Sequence, residues 1–211
     1  MIRLSFARLS VGLPLLFLLG ACSDLAVVEV FSEDGVIAER YHVTKRDSVR
    51  QGEAEVFDVD GVLIERAHYE AGQLQGTRTR YYADGTLQAE ETLAGGLLDG
   101  PYRSYYPDGA LELEGQYVRN VGTGTWTGYY PEGAKKEEFT KTNSLADGPF
   151  REWHPNGERK AEGHYVKGGR EHGELLLYDE RGELERKMNC DEGLCRTTWP
   201  AELIPNAGVD E

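Results

Sequence analysis

The sequence predicts an all-β chain: an elongated, twisted, single-layer antiparallel β-meander of about seven tandem hairpin repeats, each about 24 residues long. Three observations predict it. Gly52, Gly76, Gly100, Gly124, Gly148 and Gly173 recur at spacings of 24, 24, 24, 24 and 25, and nine residues after each stands a second glycine, at 61, 85, 109, 133, 157 and 182. Threonines and aromatics run into that second glycine, mostly through Asp-Gly, Glu-Gly or Asn-Gly, a strong hairpin signal because glycine accepts the positive φ the turn needs. Beyond the turn the chain alternates apolar and polar residues with a period of two, and nowhere in the array does a helical period persist.

The first element precedes the array. Arg3 and Arg8 form a short cationic leader, and Val11 to Leu19 is an apolar run too short to span a bilayer, so residues 1–21 read as a signal peptide. The run ends in Leu19-Gly20-Ala21-Cys22, which resembles the lipobox of bacterial lipoproteins. That resemblance implies diacylation of Cys22 as the first mature residue, and more than one acyl chain suffices for stable anchoring. Ser23 in the position after the cysteine implies, by the same resemblance, the outer membrane facing the periplasm if the envelope is Gram-negative.

The array itself runs from 22 to 195. After Gly61, Leu63, Glu65, Ala67 and Tyr69 are expected on one face and Ile64, Arg66 and His68 on the other; after Gly109, Leu111, Leu113, Gly115 and Tyr117 oppose Glu112, Glu114 and Gln116. Four residues before each turn glycine the side chain is aromatic in every copy: Phe31, Phe57, Tyr81, Tyr105, Tyr129, Trp153 and Tyr178. Alternate strands of a meander lie about 9.6 Å apart, so these rings are expected to form a row across the sheet. Tyr82, Tyr106, Tyr130 and His154 follow them and are expected on the opposite face. The candidate binding face is therefore Tyr81, Tyr105, Tyr129 and Trp153, with Tyr82, Tyr106 and Tyr130.

Seven hairpins make about fourteen strands, beyond the roughly ten at which an open sheet coils or curls. Open edges invite pairing with other chains. Residues 196–211, with Trp199, Pro200, Leu203, Ile204 and Pro205, are expected to cap the last hairpin or to form a disordered tail. Cys190 and Cys195 in CDEGLC suit a disulfide across a short hairpin in an oxidising compartment; free thiols and a metal site are the alternatives, the latter lacking further soft ligands nearby.

The unit resembles the bacterial variant of the MORN repeat: a glycine, an aromatic pair, an Asn-Gly or Asp-Gly turn, then Tyr-x-x-Gly-x-x-x-Gly. Tyr69, Gly72 and Gly76 carry that last element, as do Tyr165 and Gly168 with Gly173 one residue late. Asn120 and Ser144 replace the inner glycine, and Leu93 and Lys141 the tyrosine, so the fifth unit is expected to be a kink or a contact point. The resemblance implies an interaction module, and the antitoxin-like label that accompanies similar proteins implies a toxin as one candidate partner.

Charge narrows the partners. Without the two leader arginines, 21 basic side chains face 37 acidic ones, a net charge of −16. Such a surface repels nucleic acid and favours a basic protein partner. No nucleophile elbow, phosphate loop or calcium loop is present; the glycines of GTGTWTG are repeat positions. The chain therefore reads as non-catalytic and without cofactor or metal, a membrane-anchored protein-interaction module. Glycan or peptidoglycan binding through the aromatic rows is the alternative.

Overall fold

The computed structural model describes residues 24–200. The leader, Cys22 and residues 201–211 lie outside the described residues. Within them the chain is all β, one open antiparallel sheet of 17 strands. The strands are β1 (Leu25–Phe31), β2 (Ile37–Thr44), β3 (Arg50–Phe57), β4 (Leu63–Glu70), β5 (Gln73–Leu74), β6 (Gly76–Tyr81), β7 (Leu87–Ala94), β8 (Leu97–Tyr105) and β9 (Leu111–Val118). They continue as β10 (Val121–Tyr129), β11 (Lys135–Thr142), β12 (Leu145–Trp153), β13 (Arg159–Val166), β14 (Arg170–Glu171), β15 (Gly173–Tyr178), β16 (Leu184–Asp191) and β17 (Leu194–Trp199). Consecutive strands pair, except that the short β5 and β14 share their partners β4 and β13 with β6 and β15, so the sheet is a plain meander.

The expected count of about fourteen strands is exceeded for two reasons. In two repeats the first half is split, β5 from β6 and β14 from β15, each pair separated by a single residue. The chain also adds β17 after the seventh hairpin, paired from Asp191↔Leu194 to Lys187↔Trp199. Residues Arg196–Trp199, past the expected end of the array at 195, belong to this strand.

Both kinds of turn have a local cause. At the aromatic end, the Gly85 N–H donates to Tyr82 O at 2.9 Å and the Tyr82 N–H to Thr86 O at 2.8 Å, with Gly85 at φ 85°. This is a three-residue loop closed by glycine in the left-handed region, and the same bonds recur around Gly35, Gly61, Gly109, Gly133, Gly157 and Gly182. Asp84 supports it by accepting from the Thr86 N–H at 2.8 Å, a bond that lowers its carboxyl pKa.

At the other end the turns bond to one another. Gly72, Gly96, Asn120, Ser144 and Gly193 each donate a backbone N–H to a carbonyl of the preceding repeat, at 2.7–2.9 Å. Where the glycine is replaced, the side chain adds a second bond: Asn120 Oδ1 accepts from the Leu98 N–H at 2.6 Å, and Ser144 Oγ from the Gly122 N–H at 2.9 Å. The fifth unit is accordingly not a kink. Its two strands pair from Gly124↔Lys141 to Tyr129↔Lys135, with the same bulge as their neighbours.

Register decides which face each residue takes. One face, called here the packed face, carries Ala54, Ala67, Ala89, Leu93, Trp126, Phe150, Ala161 and Cys190, all buried. The other, polar face carries ranks of opposed charges such as Arg103 against Glu114 and Arg151 against Glu138. Strict alternation fails at a bulge that follows each aromatic-end turn. Tyr105 pairs with Leu111 but Ser104 with Leu113, so Glu112 is extra and both Glu112 and Leu113 turn to the packed face. Leu111, and Leu63 opposite Phe57, therefore stand on the polar face, contrary to the alternation read from sequence.

A single-layer sheet buries side chains only by laying them over neighbouring strands. Trp126 is 1% exposed because its indole lies over Gly115, flanked by Tyr117 at 5.3 Å and Tyr102 at 5.7 Å between centroids, with Lys141 Nζ 3.6 Å from the ring centre. Phe150 lies over Gly163 in the same way and stacks on Tyr165 at 4.0 Å. One repeat fills this layer with charge instead. Glu91, 5% exposed, accepts from Arg78 Nε at 2.6 Å and Arg80 Nη2 at 2.9 Å.

Candidate functional site

The first aromatic row lies on the polar face, but as part of the structure and not as bare rings. The Tyr105, Tyr129 and Tyr178 hydroxyls donate to Glu90, Glu114 and Glu162, each at 2.7 Å. Burial, followed by the bonded carboxylate, pushes the Tyr105 and Tyr129 hydroxyls up to about 12. Trp153 is sandwiched by Lys135 at 5.0 Å and Arg159 at 5.3 Å, and Phe57 sits beside Arg40 at 5.7 Å. Of this row only Phe31, on the terminal hairpin, is strongly exposed, at 56%.

The second set is not a face either. Tyr82, Tyr106 and Tyr130 stand at the aromatic-end margin and donate their hydroxyls to the main-chain oxygens of Tyr105, Tyr129 and Trp153 at 2.7, 2.8 and 2.9 Å. His154 continues the series through Nε2 to Tyr178 O at 3.0 Å. Each residue thereby ties its repeat to the next. The sequence shows the repetition of these aromatics but not this use, because the acceptor is a main-chain oxygen 23 or 24 residues away.

What the packed face offers beyond its core is a groove of about 450 Å³ spanning the third to fifth repeats. Its floor is Ala89, Leu113 and Gly128, Tyr82, Tyr102 and Tyr106 form its aromatic wall, and Tyr129, whose ring lies on the polar face, also borders it. Arg80, Gln88, Ser104, Glu112, Lys136 and Glu137 supply its polar groups. The groove exists because Ser104 and Gly128 occupy a place on the packed face that Arg80 fills in the preceding repeat and Glu152 in the following one. Of the residues singled out in the sequence, it brings together Tyr82, Tyr106 and Tyr129, whereas Tyr81, Tyr105, Tyr130 and Trp153 are not part of it.

Gln88, Glu112 and Lys136 were not foreseeable from alternation, since the bulge alone turns them inward. Ser104 Oγ donates to Glu112 at 3.0 Å. Among the described residues Lys136 and Glu137 form no ion pair, so one charge of each sign stands in the groove without a fixed partner.

No group of three or more potential metal ligands occurs among the described residues. Cys190 and Cys195 face each other across β16 and β17, joined by a disulfide with their Cα atoms 3.9 Å apart.

No curated protein matches the chain. Among solved structures, the crystal structure of a GtfA/B complex bound to UDP and GlcNAc is similar at a TM-score of 0.19 and 14% identity. The match covers 64% of this chain and 22% of that one, so the present chain corresponds to only a minor part of that protein's length, and the likeness carries no functional weight. The repeats themselves have a counterpart: residues 74–93, 98–119 and 146–167 match the MORN repeat variant, and MORN repeats in general mediate contacts with proteins or membranes.

Proposed function

We propose that the chain is a non-catalytic interaction module of a bacterial cell envelope, held to a membrane by lipid on Cys22, and that it seats a segment of a protein partner in the groove of the packed face. The observation that carries the reading is the pair Lys136 and Glu137: two unpaired charges of opposite sign beside tyrosine rings on an apolar floor. Such lining matches a polypeptide, whose side chains supply apolar, acidic and basic groups in one stretch, and tyrosine is enriched where binding energy concentrates. Without the leader, the net charge of −16 (21 basic against 37 acidic side chains) steers a basic partner toward the sheet. An antitoxin or immunity role is one form this partnership takes, and the outer membrane facing the periplasm is the location that Ser23 favours.

Glycan binding through the aromatic rows has less support, since most of those rings are half-buried and several hydroxyls are committed to carboxylates or main chain. The deciding experiment is crosslinking of the full-length chain in its native membrane. Ser104→Arg fills the groove with the residue its neighbour repeat already carries at that place, and is expected to abolish capture of the partner while leaving the melting temperature near wild type. Undiminished capture by a stably folded Ser104→Arg chain would move the binding surface elsewhere. Retention on peptidoglycan that Ser104→Arg does not affect would favour the glycan alternative. Replacing Cys22 by serine separately tests the anchor, and continued membrane association of that variant would refute it.

A further inference from the structure

The packed face already seats arginines of its own. Arg50 donates to Glu39 through both terminal nitrogens, at 2.6 and 2.9 Å, and its guanidinium lies 4.0 Å from the Tyr41 ring centre and 5.3 Å from that of Tyr69. In the next repeat Arg80 donates to Glu91 at 2.9 Å. A guanidinium suits such places because its planar fork matches a carboxylate while its face stacks on a ring.

In the groove the carboxylates remain and the arginine is missing. Ala89, Ser104, Leu113, Gly128, Glu137 and Glu152 form one rank across consecutive strands, each paired with the next, and Ser104 and Gly128 stand where the preceding repeat has Arg80. Glu112 accepts from Ser104 Oγ at 3.0 Å and, among the described residues, has no ion pair. Glu137 lies over Gly128, where a Cβ would meet its Cγ at 2.9 Å and its Oε1 at 3.0 Å. Among the described residues it has neither hydrogen bond nor ion pair, and it directly opposes Glu152 on the next strand, a destabilising arrangement of like charges. Lys160 bonds Glu152 at 2.8 Å and leaves Glu137 unbonded. A carboxylate held unbonded against a like charge, on the floor of a groove, is a place prepared for a cation.

The walls select which cation. Tyr102 is fixed by Tyr117 and Trp126, each at 5.7 Å between centroids, and Tyr82 and Tyr106 are tied by their hydroxyls to main-chain oxygens. Rings set before any ligand arrives favour a flat cation that stacks over a compact, strongly hydrated ammonium.

We propose that the groove receives an arginine side chain of its protein partner, the guanidinium bonded to Glu137 and Glu112 with its plane against the tyrosine wall. The inference rests on the reading of the groove as a protein-binding site and adds the residue that enters it. Glu112 and Glu137 stand on strands about 9.6 Å apart, a gap that a guanidinium donating from two edges bridges between two flexible carboxylates. Lys136, exposed beside Glu137, is left to bond a carbonyl or carboxylate of the same partner segment. The incoming arginine repeats in trans what Arg50 and Arg80 do within the chain, and the acidity of the chain draws a basic segment toward it.

The test titrates the full-length chain in detergent with N-acetyl-argininamide, and in parallel with N-acetyl-lysinamide, following the tyrosine ring resonances by NMR. The arginine probe is expected to give saturable shifts and the lysine probe markedly weaker ones. Glu137→Gln is expected to weaken the arginine probe about tenfold, the loss of one charge-assisted bond. Because that change also relieves the opposition to Glu152, the melting temperature of Glu137→Gln is expected at or above wild type, which separates lost binding from lost folding. Equal binding of the two probes, undiminished binding by Glu137→Gln, or no saturable shift overturns the proposal. Crosslinked capture of the partner in the native membrane distinguishes this failure from that of the groove itself. Capture lost in Ser104→Arg but kept in Glu137→Gln overturns the arginine alone, and capture kept in both overturns the groove as the binding surface and the arginine with it.

Discussion

Gly115→Ala is expected to destabilise the chain although it adds a single methyl group. In an ordinary strand the change would be favourable by about 0.5–1 kcal/mol, because alanine loses less backbone entropy on folding. Here the added Cβ would lie 2.3, 2.5 and 2.6 Å from Cδ2, Cε2 and Cε3 of Trp126. The indole has nowhere to withdraw, with Tyr117 and Tyr102 against it at 5.3 and 5.7 Å and Lys141 over its face. Overpacking of this kind costs about 1–3 kcal/mol, and full expulsion of the ring would approach the roughly 3–5 kcal/mol of deleting a buried tryptophan. A net loss of about 3 kcal/mol is therefore expected. Equilibrium denaturation followed by tryptophan fluorescence measures it. Gly128→Ala is the internal control: its Cβ would meet Glu137 Cγ at 2.9 Å, but Glu137 is a flexible chain that swings aside, so the cost is expected to stay under about 1 kcal/mol. In a Trp126→Leu background most of the Gly115→Ala penalty should vanish, a coupling that a double-mutant cycle reads directly. If Gly115→Ala alone unfolds at or above the wild-type denaturant midpoint, the packing of Trp126 over Gly115 is not what buries that ring.

Three further outcomes are expected. Glu91→Ala leaves two arginines of the packed face without their shared carboxylate, and should cost about 3 kcal/mol in denaturant unfolding, near the low end for breaking a buried pair because both arginines retain some exposure. Cys195→Ser opens a loop with sequence separation 5, and the loop-entropy relation gives a loss of about 2 kcal/mol, to be seen as faster hydrogen exchange in β16 and β17 before the rest of the sheet. Tyr105 and Tyr129 hold their hydroxyl protons more tightly folded than unfolded, so their contribution is intact below the ordinary tyrosine value and is lost as pH rises toward about 12. Alkaline unfolding curves of Tyr105→Phe and Tyr129→Phe should accordingly be flatter between those limits, and curves superimposable on wild type would remove the Glu90 and Glu114 bonds from the account.

The repeat, the strands and the turn at each glycine pair were legible because they are local: an aromatic run, a turn dipeptide and a period of two each reflect a few adjacent residues. Register was not. Whether Glu112 points with Leu113 or against it depends on a bulge whose only trace is that Tyr105 pairs with Leu111 and Ser104 with Leu113. That same bulge turns Gln88, Glu112 and Lys136 into the groove, which alternation alone does not indicate, whereas the repetition of aromatics marks Tyr82, Tyr106 and Tyr129 directly. The role of Tyr82, Tyr106 and Tyr130 was likewise hidden, since a hydroxyl bound to a main-chain oxygen leaves no complementary side chain in the sequence. The asparagine and serine at 120 and 144 depart from the glycine of the motif, yet each carries an additional bond between turns.

Those bonds between turns, together with the hydroxyl bonds at the opposite margin, stitch consecutive repeats along both borders of the sheet. A pull across the strands, from one terminal hairpin toward the other, would meet these seams a repeat at a time. The chain should then behave as a spring with a sawtooth yield: each hairpin gives way separately and pays out ~80 Å of extended polypeptide before the next one bears the load. Refolding can restart from whichever neighbour still stands, because every repeat templates the one beside it. A tether built this way absorbs work in small instalments and recovers its length when the force is released.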